Sequence, residues 1–210
     1  MSSPPLVPCE PLTSASFQSF GAVIENPQRS NPNHKVRTVN QSTALKYRTL
    51  PSFGHDYPAS GAQPNLTTNI FVCKPRELKP ADTAKNLPPR YVCSVLEKHP
   101  YTRQAFIPLG VKPGVESPQY VVIVAPDDGK GKPDWSSLKA FLADGSQGIA
   151  YGAGVWHSPM VVVGSGAIEF VCLVWENGVD DEDTVEVRGG PVDVCVSVDV
   201  VGGSLAKAKL

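Results

Sequence analysis

EKHPYTRQAFIPLG, residues 97–110, and QGIAYGAGVWHSP, residues 147–159, decide how this chain reads. Each is apolar and strand-like, punctuated by Gly and Pro, yet each carries polar side chains where a buried strand has no use for them. The residues in question are Glu97, His99, Gln104 and His157. Alternate side chains of a strand share a face, so Glu97 and His99 point the same way. Gln104 returns from the next strand after the turn PYTR, and His157 arrives from far along the chain behind a Gly-rich turn. Such groups are buried at a cost unless they meet something. A small polar ligand or a divalent metal held by N and O donors inside a β-barrel is the natural occupant.

The rest of the chain keeps the same habit. Strands are predicted at Ala44–Leu50, Asn69–Lys74, Tyr91–His99, Gln104–Ile107, Tyr120–Ala125, Gly148–Tyr151, Val155–Val163, Ala167–Trp175 and Val192–Val201. Two short helices are expected. Thr13 can cap a turn carrying Phe17 and Phe20 and ended by Gly21, and Asp134 can cap DWSSLKAFLADG, where Leu138, Phe141 and Leu142 fall at helical spacing before Gly145. Pro51–Thr68 and Pro75–Arg90 read as loops. The pattern predicts a mainly β fold, an antiparallel β-barrel or jelly roll with a few short helices. A parallel α/β fold would need far more helix for its crossovers.

At 210 residues the chain fits one domain, residues 1–201, followed by a flexible tail, residues 202–210. Lys+Arg is 19 against Asp+Glu 20, a net charge of −1, so there is no basic field for nucleic acid and no polybasic membrane anchor. MSSPPLVPCEPL has neither the charged nor the apolar region of a signal peptide, and no apolar run approaches the ~20 residues of a membrane span. The five cysteines are odd in number, without a CxxC pair, and four of them (Cys73, Cys93, Cys172, Cys195) sit in strand patterns; buried reduced thiols of an intracellular protein are expected.

The residues themselves leave two readings of the polar cluster open. Glu97, His99, Gln104 and His157 can hold a divalent metal, or Glu97 and a histidine can form a hydrogen-bonded pair. Gln104, a poor metal ligand, also suits the role of a substrate-binding hydrogen-bond partner. Tyr151 is a candidate proton relay or else a core tyrosine. Lys98 becomes a substrate-binding candidate only if its strand bulges, since alternation turns it away. Trp156 and Phe106 read as core, Asp180–Asp183 as a solvated charge run, and Ser158 lacks the turn of a nucleophile.

E-x-H-x4-Q followed by FIPLG is similar to the first cupin motif, and GIAYGAGVWH to the second, where a Gly-rich turn leads to a lone His. More specifically, EKHP, TRQAFIP, VVIVA, KPDWSSLKAF, GSQGIAY and VWHSP, in this order, resemble the ureidoglycolate lyase family. Asn40 in TVNQ resembles the family's early Asn-containing segment, which makes it a substrate-binding candidate. The resemblance weakens outside the core. His157-Ser158 stands where members often have two histidines, Trp175-Glu176 where they carry Asp-Arg, and the Pro-rich 51–90 region is longer. The resemblance implies a cupin fold, a homodimer, and cleavage of (S)-ureidoglycolate to glyoxylate and urea in allantoin and purine breakdown. It implies a nickel-linked site in which Glu97, His99 and His157 act in catalysis. A non-catalytic cupin that binds a small carboxylate, or an amidohydrolase releasing ammonia, are the alternatives.

The chain closes on Ala208-Lys209-Leu210, a near variant of the Ser-Lys-Leu peroxisomal address. Gly202-Gly203-Ser204 keeps it accessible and Lys207 adds positive charge upstream. Recognition by the peroxisomal import receptor is expected, with the cytoplasm as the alternative location.

Overall fold

The computed structural model describes residues 6–29, 33, 35–47, 53–59, 61–85, 87–111, 119–163 and 166–196. The expected tail, Ala208-Lys209-Leu210 and positions 197–201 of the last expected strand lie outside them, as do 48–50 of the first. In chain order the strands are β1 (Leu6–Val7), β2 (Cys9–Pro11), β3 (Gly21–Ile24), β4 (Arg37–Val39), β5 (Ala44–Lys46), β6 (Asn65–Cys73), β7 (Arg90–Lys98) and β8 (Gln104–Pro108). There follow β9 (Gln119–Ala125), β10 (Lys139–Asp144), β11 (Gly148–Tyr151), β12 (Trp156–His157), β13 (Val161–Val163), β14 (Ile168–Glu176) and β15 (Val185–Cys195). Two one-turn helices accompany them, α1 (Ser14–Phe17) and α2 (Asp180–Asp183).

The larger sheet runs β1-β15-β7-β12-β9-β10-β2, with β13 also on β9; the smaller runs β3-β11-β8-β14-β6; β4 and β5 form a hairpin of their own. Together the two main sheets make a nearly closed, cupin-like barrel. Pairing is antiparallel except at the edges, where β1 runs parallel to β15 and β2 parallel to β10.

Strand β9, QYVVIVA, shows how the layers form. Tyr120, Val122 and Val124 point into the barrel with Phe17, Phe106, Phe141, Ile149 and Phe170. Val121, Ile123 and Ala125 point outward, where Leu138, Trp156, Val192 and Val194 bury them in a second apolar layer. A sheet covered on both faces needs apolar side chains at every position, which is why β9 is a continuous apolar run.

The same double burial corrects the second expected helix. Asp134 does cap a turn, accepting from the Ser136 N–H at 2.9 Å, but the turn is a single 3-10 turn, Trp135–Ser137. Lys139–Asp144 continues as β10 along β9. Phe141 and Ala143 face the barrel interior while Ala140 packs in the outer layer with Leu142 against it. Apolar residues on both faces of a strand imitate helical spacing. The first helix forms as expected: Thr13 Oγ1 accepts from the Ser16 N–H at 3.0 Å, and Phe17 and Phe20 are buried.

Other boundaries shift for local reasons. The expected strand Val155–Val163 divides into β12 and β13 around Pro159, which has no N–H for a ladder. Residues 65–68 of the expected first loop belong to β6, and β15 begins at Val185 rather than Val192. The DDED run is not a plain solvated loop but α2. No disulfide forms among the described residues.

Phe141 is fully buried and meets Phe17 edge-on at 5.5 Å, whereas Lys139 on the same strand is exposed. Phe141→Ala should cost about 3–5 kcal/mol and Lys139→Ala within about 0.5 kcal/mol, read from urea unfolding curves. Equal effects at the two positions would contradict the two-sided burial of β10.

Candidate active site

The polar residues singled out in the sequence meet at one end of the barrel. Glu97 sits near the end of β7, directly across from His157 on β12 and Glu186 on β15. His99 follows just past the end of β7. Gln104 opens β8 in the other sheet and pairs with Tyr151 of β11. The rings of His99 and His157 lie 5.6 Å apart, and one donor atom from each of Glu97, His99 and His157 falls within 4.8 Å of the others.

Both imidazoles are oriented by backbone. His157 Nδ1 donates to the Val155 carbonyl at 2.8 Å, and His99 Nδ1 to the Asp183 carbonyl at 2.7 Å. A ring that donates from Nδ1 keeps a lone pair on Nε2. His157 Nε2 faces Glu97 Oε1 at 3.6 Å and the Gln104 amide at 3.2 Å. His99 Nε2 is buried without a hydrogen-bond partner. The short His157–Glu97 distance is not an ion pair, because burial, and then the neighbouring His99, push the His157 pKa down to about 3. Burial also lowers His99, against the opposing pull of the Asp183 carbonyl. It raises the Glu97 carboxyl, helped by Glu186.

Two imidazole lone pairs and a carboxylate thus converge with no donor between them. Such a donor set fits a divalent cation, and neutral histidines need shed no proton to bind it. Glu97, His99 and His157 would be the ligands. Gln104 is brought to the site with its Oε1 3.2 Å from His157 Nε2, an acceptor beside the lone pair rather than a donor to it. Tyr151 also arrives, with its ring stacked flat on His157 at 3.9 Å and its phenol pKa raised well above the ordinary value, by burial first.

Two expected residues do not come here. Lys98 lies on the outer side of β7, 4.5 Å above the Trp156 ring and 3.6 Å from Asp127. Asn40 is in the exposed turn of the β4–β5 hairpin, at φ 52, its carbonyl accepting from Thr43. Strict alternation does not run the length of β7. Cys93 and Leu96, three residues apart, both pack in the outer layer, so alternation breaks between them, opposite the bulge of β15 at Arg188–Val192.

Glu97 is where the cluster opens to solvent. It lines a cleft of about 470 Å³ together with Phe71, Cys73, Phe106 and Met160, and with two cations, Lys74 and Arg76. These cations were missed in the sequence, where Lys74 ended an expected strand and Arg76 fell in the loop that follows it. The only available signal was two basic residues flanking Pro75 directly after a strand.

A cupin-like barrel with an inward-facing Glu-His-His set under a small cationic cleft defines a small-molecule enzyme of the metal-capable kind. The chain matches the ureidoglycolate lyase family over residues 4–194 and belongs to it. It is 33% identical over 190 residues to the ureidoglycolate lyase of Schizosaccharomyces pombe, covering 89% of this chain and 94% of that one. It is 34% identical over 199 residues to that of Saccharomyces cerevisiae, covering 91% and 98%. A bacterial ureidoglycolate lyase, from Burkholderia mallei, is 34% identical over 155 residues, 74% of each chain.

The neutral imidazoles set a pH dependence. An unfolded histidine protonates near 6.5, whereas folded His157 resists down to about 3. Its contribution to stability is therefore complete above pH 6.5 and is lost as pH falls towards about 3. Glu97 works in the opposite sense: its raised folded pKa makes its share greatest below the ordinary 4.5 and smaller as pH rises. The metal-free protein should lose urea resistance on acidification below about pH 6.5, and His157→Gln should flatten that slope by up to ~1.4 kcal/mol per pH unit. An unchanged slope would mean that the His157 ring is already charged in the folded protein.

Proposed function

We propose that this chain is a ureidoglycolate lyase that cleaves (S)-ureidoglycolate to glyoxylate and urea, a late step of allantoin and purine breakdown. The observation that carries the reading is the convergence of Glu97, His99 and His157 beneath a cleft whose rim holds Lys74 and Arg76. The substrate is a carbinolamide: one carbon bears a hydroxyl, a carboxylate and a urea nitrogen. Its carboxylate suits Lys74 and Arg76, since charged hydrogen bonds orient a small anion. Glu97 is the member of the triad that lines the cleft, and burial raises its carboxyl above the ordinary range, the direction that favours a carboxyl exchanging protons with substrate. Loss of the hydroxyl proton forms the aldehyde C=O as the C–N bond breaks, and the departing urea nitrogen takes up a proton. Tyr151 holds the His157 ring by its face, and Gln104 lies at the ring's edge. A divalent ion on Glu97, His99 and His157, nickel by family resemblance, would supply Lewis acidity that eases ionisation of the hydroxyl.

Purified protein incubated with ureidoglycolate should release glyoxylate and urea in equal amounts. Ammonia in place of urea would make it an amidohydrolase, and no turnover with retained binding would make it a carboxylate-binding cupin. Glu97→Gln and His157→Ala should each lower kcat by ~10²–10⁴-fold with circular dichroism unchanged. Lys74→Ala and Arg76→Ala should act mainly on KM, and Lys98→Ala should be close to wild type. Near-normal kcat for both Glu97→Gln and His157→Ala would remove the site.

A homodimer and a peroxisomal location complete the proposal. Support for a second copy comes from β6, an edge strand without a charged residue that exposes Leu66, Ile70 and Val72. Support for import is the tripeptide Ala208-Lys209-Leu210 itself. Its deletion should leave a fluorescent fusion diffuse in the cytosol while activity in extracts is retained, because such an address is read by a receptor. A full-length fusion that is already diffuse would end the targeting claim.

A further inference from the structure

His99 lies just past the last residue of β7, so no ladder holds its side chain in place. The ring is instead held by the turn between β14 and β15. Its Nδ1 donates to the Asp183 carbonyl at 2.7 Å, with Thr184 Oγ1 3.3 Å away. The turn is in turn gripped by the Asp183 carboxylate. Oδ1 accepts from the Asn177 N–H at 2.8 Å and from the Tyr57 hydroxyl at 2.6 Å, and Oδ2 accepts from the Gly178 N–H at 2.8 Å. Tyr57 is buried and reaches across from a distant loop, where it packs against His55 and Tyr101.

The arrangement calls for a reason. The run Asp180–Asp183 carries four acids with no basic residue in its turn, and one of them is drawn inward onto three donors. A carboxylate satisfied by three hydrogen bonds can hold a turn rigidly. What this turn presents to the interior is the carbonyl that selects the His99 tautomer. Without that carbonyl the proton could sit on Nε2, and the orphaned lone pair facing Glu97 and His157 would be lost. Partners that fix a ligating histidine in this way govern how well it binds a metal.

We propose that Asp183, secured by Tyr57, is a positioning residue for the active site: it sets the tautomer and direction of His99 so that Nε2 joins Glu97 and His157. The inference rests on the reading that these three residues hold a divalent ion, but the tautomer of His99 can be read without one.

The test uses the full-length, metal-free protein with 15N-labelled histidine. Long-range 1H–15N correlation reports which ring nitrogen carries the proton, and calorimetric titration with nickel chloride reports affinity. Wild type should show His99 protonated on Nδ1. Asp183→Ala should bring in the Nε2–H form and weaken nickel binding ~10–100-fold. Tyr57→Phe, which removes one hydroxyl, should act in the same direction but less, and Asp183→Asn, with one acceptor oxygen left, should fall between Asp183→Ala and wild type. Asp181→Ala, an exposed position of the same turn, should match wild type in both measurements. Folded Asp183→Ala and Tyr57→Phe proteins with His99 wholly on Nδ1 and unchanged nickel affinity would overturn the proposal. If Asp183→Ala fails to fold, Tyr57→Phe and Asp183→Asn decide. If wild type takes up no nickel, the metal reading fails and the tautomer alone decides the role of Asp183.

Discussion

The larger sheet is apolar on both faces, and a sheet of that kind must be covered twice. Its inner face is covered by the smaller sheet, which closes the barrel. Its outer face is covered by side chains from its own edges and connections, among them Leu78, Trp135 and Leu138. Much else follows from this double requirement. The 3-10 turn after Asp134 is needed to lay Trp135 and Leu138 over the outside before β10 begins. Close packing leaves no room there for added atoms: a Cβ on Gly189 would collide with the Trp135 ring. Because β7 and β12 are pinned from outside by Leu96 and Trp156, the residues beside them, Glu97 and His157, are committed to the opposite side.

There the chain departs from its own rule. A barrel interior filled with Phe106, Phe170 and Tyr151 also contains two imidazoles and an amide. Each imidazole is tolerated because its one proton goes to a backbone carbonyl, and the two rings lie beside one another with Tyr151 stacked on His157. The remaining lone pairs are left uncompensated in the same small volume. Low dielectric makes that arrangement unfavourable for the empty protein and favourable for a bound cation, or for a proton shared with Glu97. Stability and function pull in opposite directions at Glu97, His99 and His157, as is common where charge has to be managed in a dry site.

Most of the strand content was legible because Pro and Gly mark its boundaries and β-branched residues fill it. The site was legible for a related reason: polar residues stand out against an apolar background, and alternation alone places Glu97 beside His99. What escaped the sequence escaped for physical causes. Leu138, Phe141 and Leu142 could not reveal a strand, since burial on both faces erases the two-residue period. Lys98 and Asn40 are polar and near motif residues, but nothing in a linear string says which side of a strand or which turn faces the cleft. Lys74 and Arg76 contribute through a loop that reaches the cleft only once β6 has docked on β14. Asp183 was hidden by its neighbours, because three other acids made the whole run look like surface.

The two ends of the described chain are joined. Leu6 and Val7 pair with Asp193 and Val194, and the Cys9 thiol donates to the Cys195 carbonyl, 186 positions away. A contact spanning so much of the sequence is among the last a polypeptide can make, and loop closure over that length makes it slow. During synthesis β2 can pair once β10 exists, but β1 must wait for β15. Until then β7 lacks one neighbour, and the carbonyl that orients His99 has not been placed. The pocket on β7 is therefore completed from the far end of the fold: Glu97 faces Glu186 of β15, and His99 is oriented by the Asp183 carbonyl just before that strand.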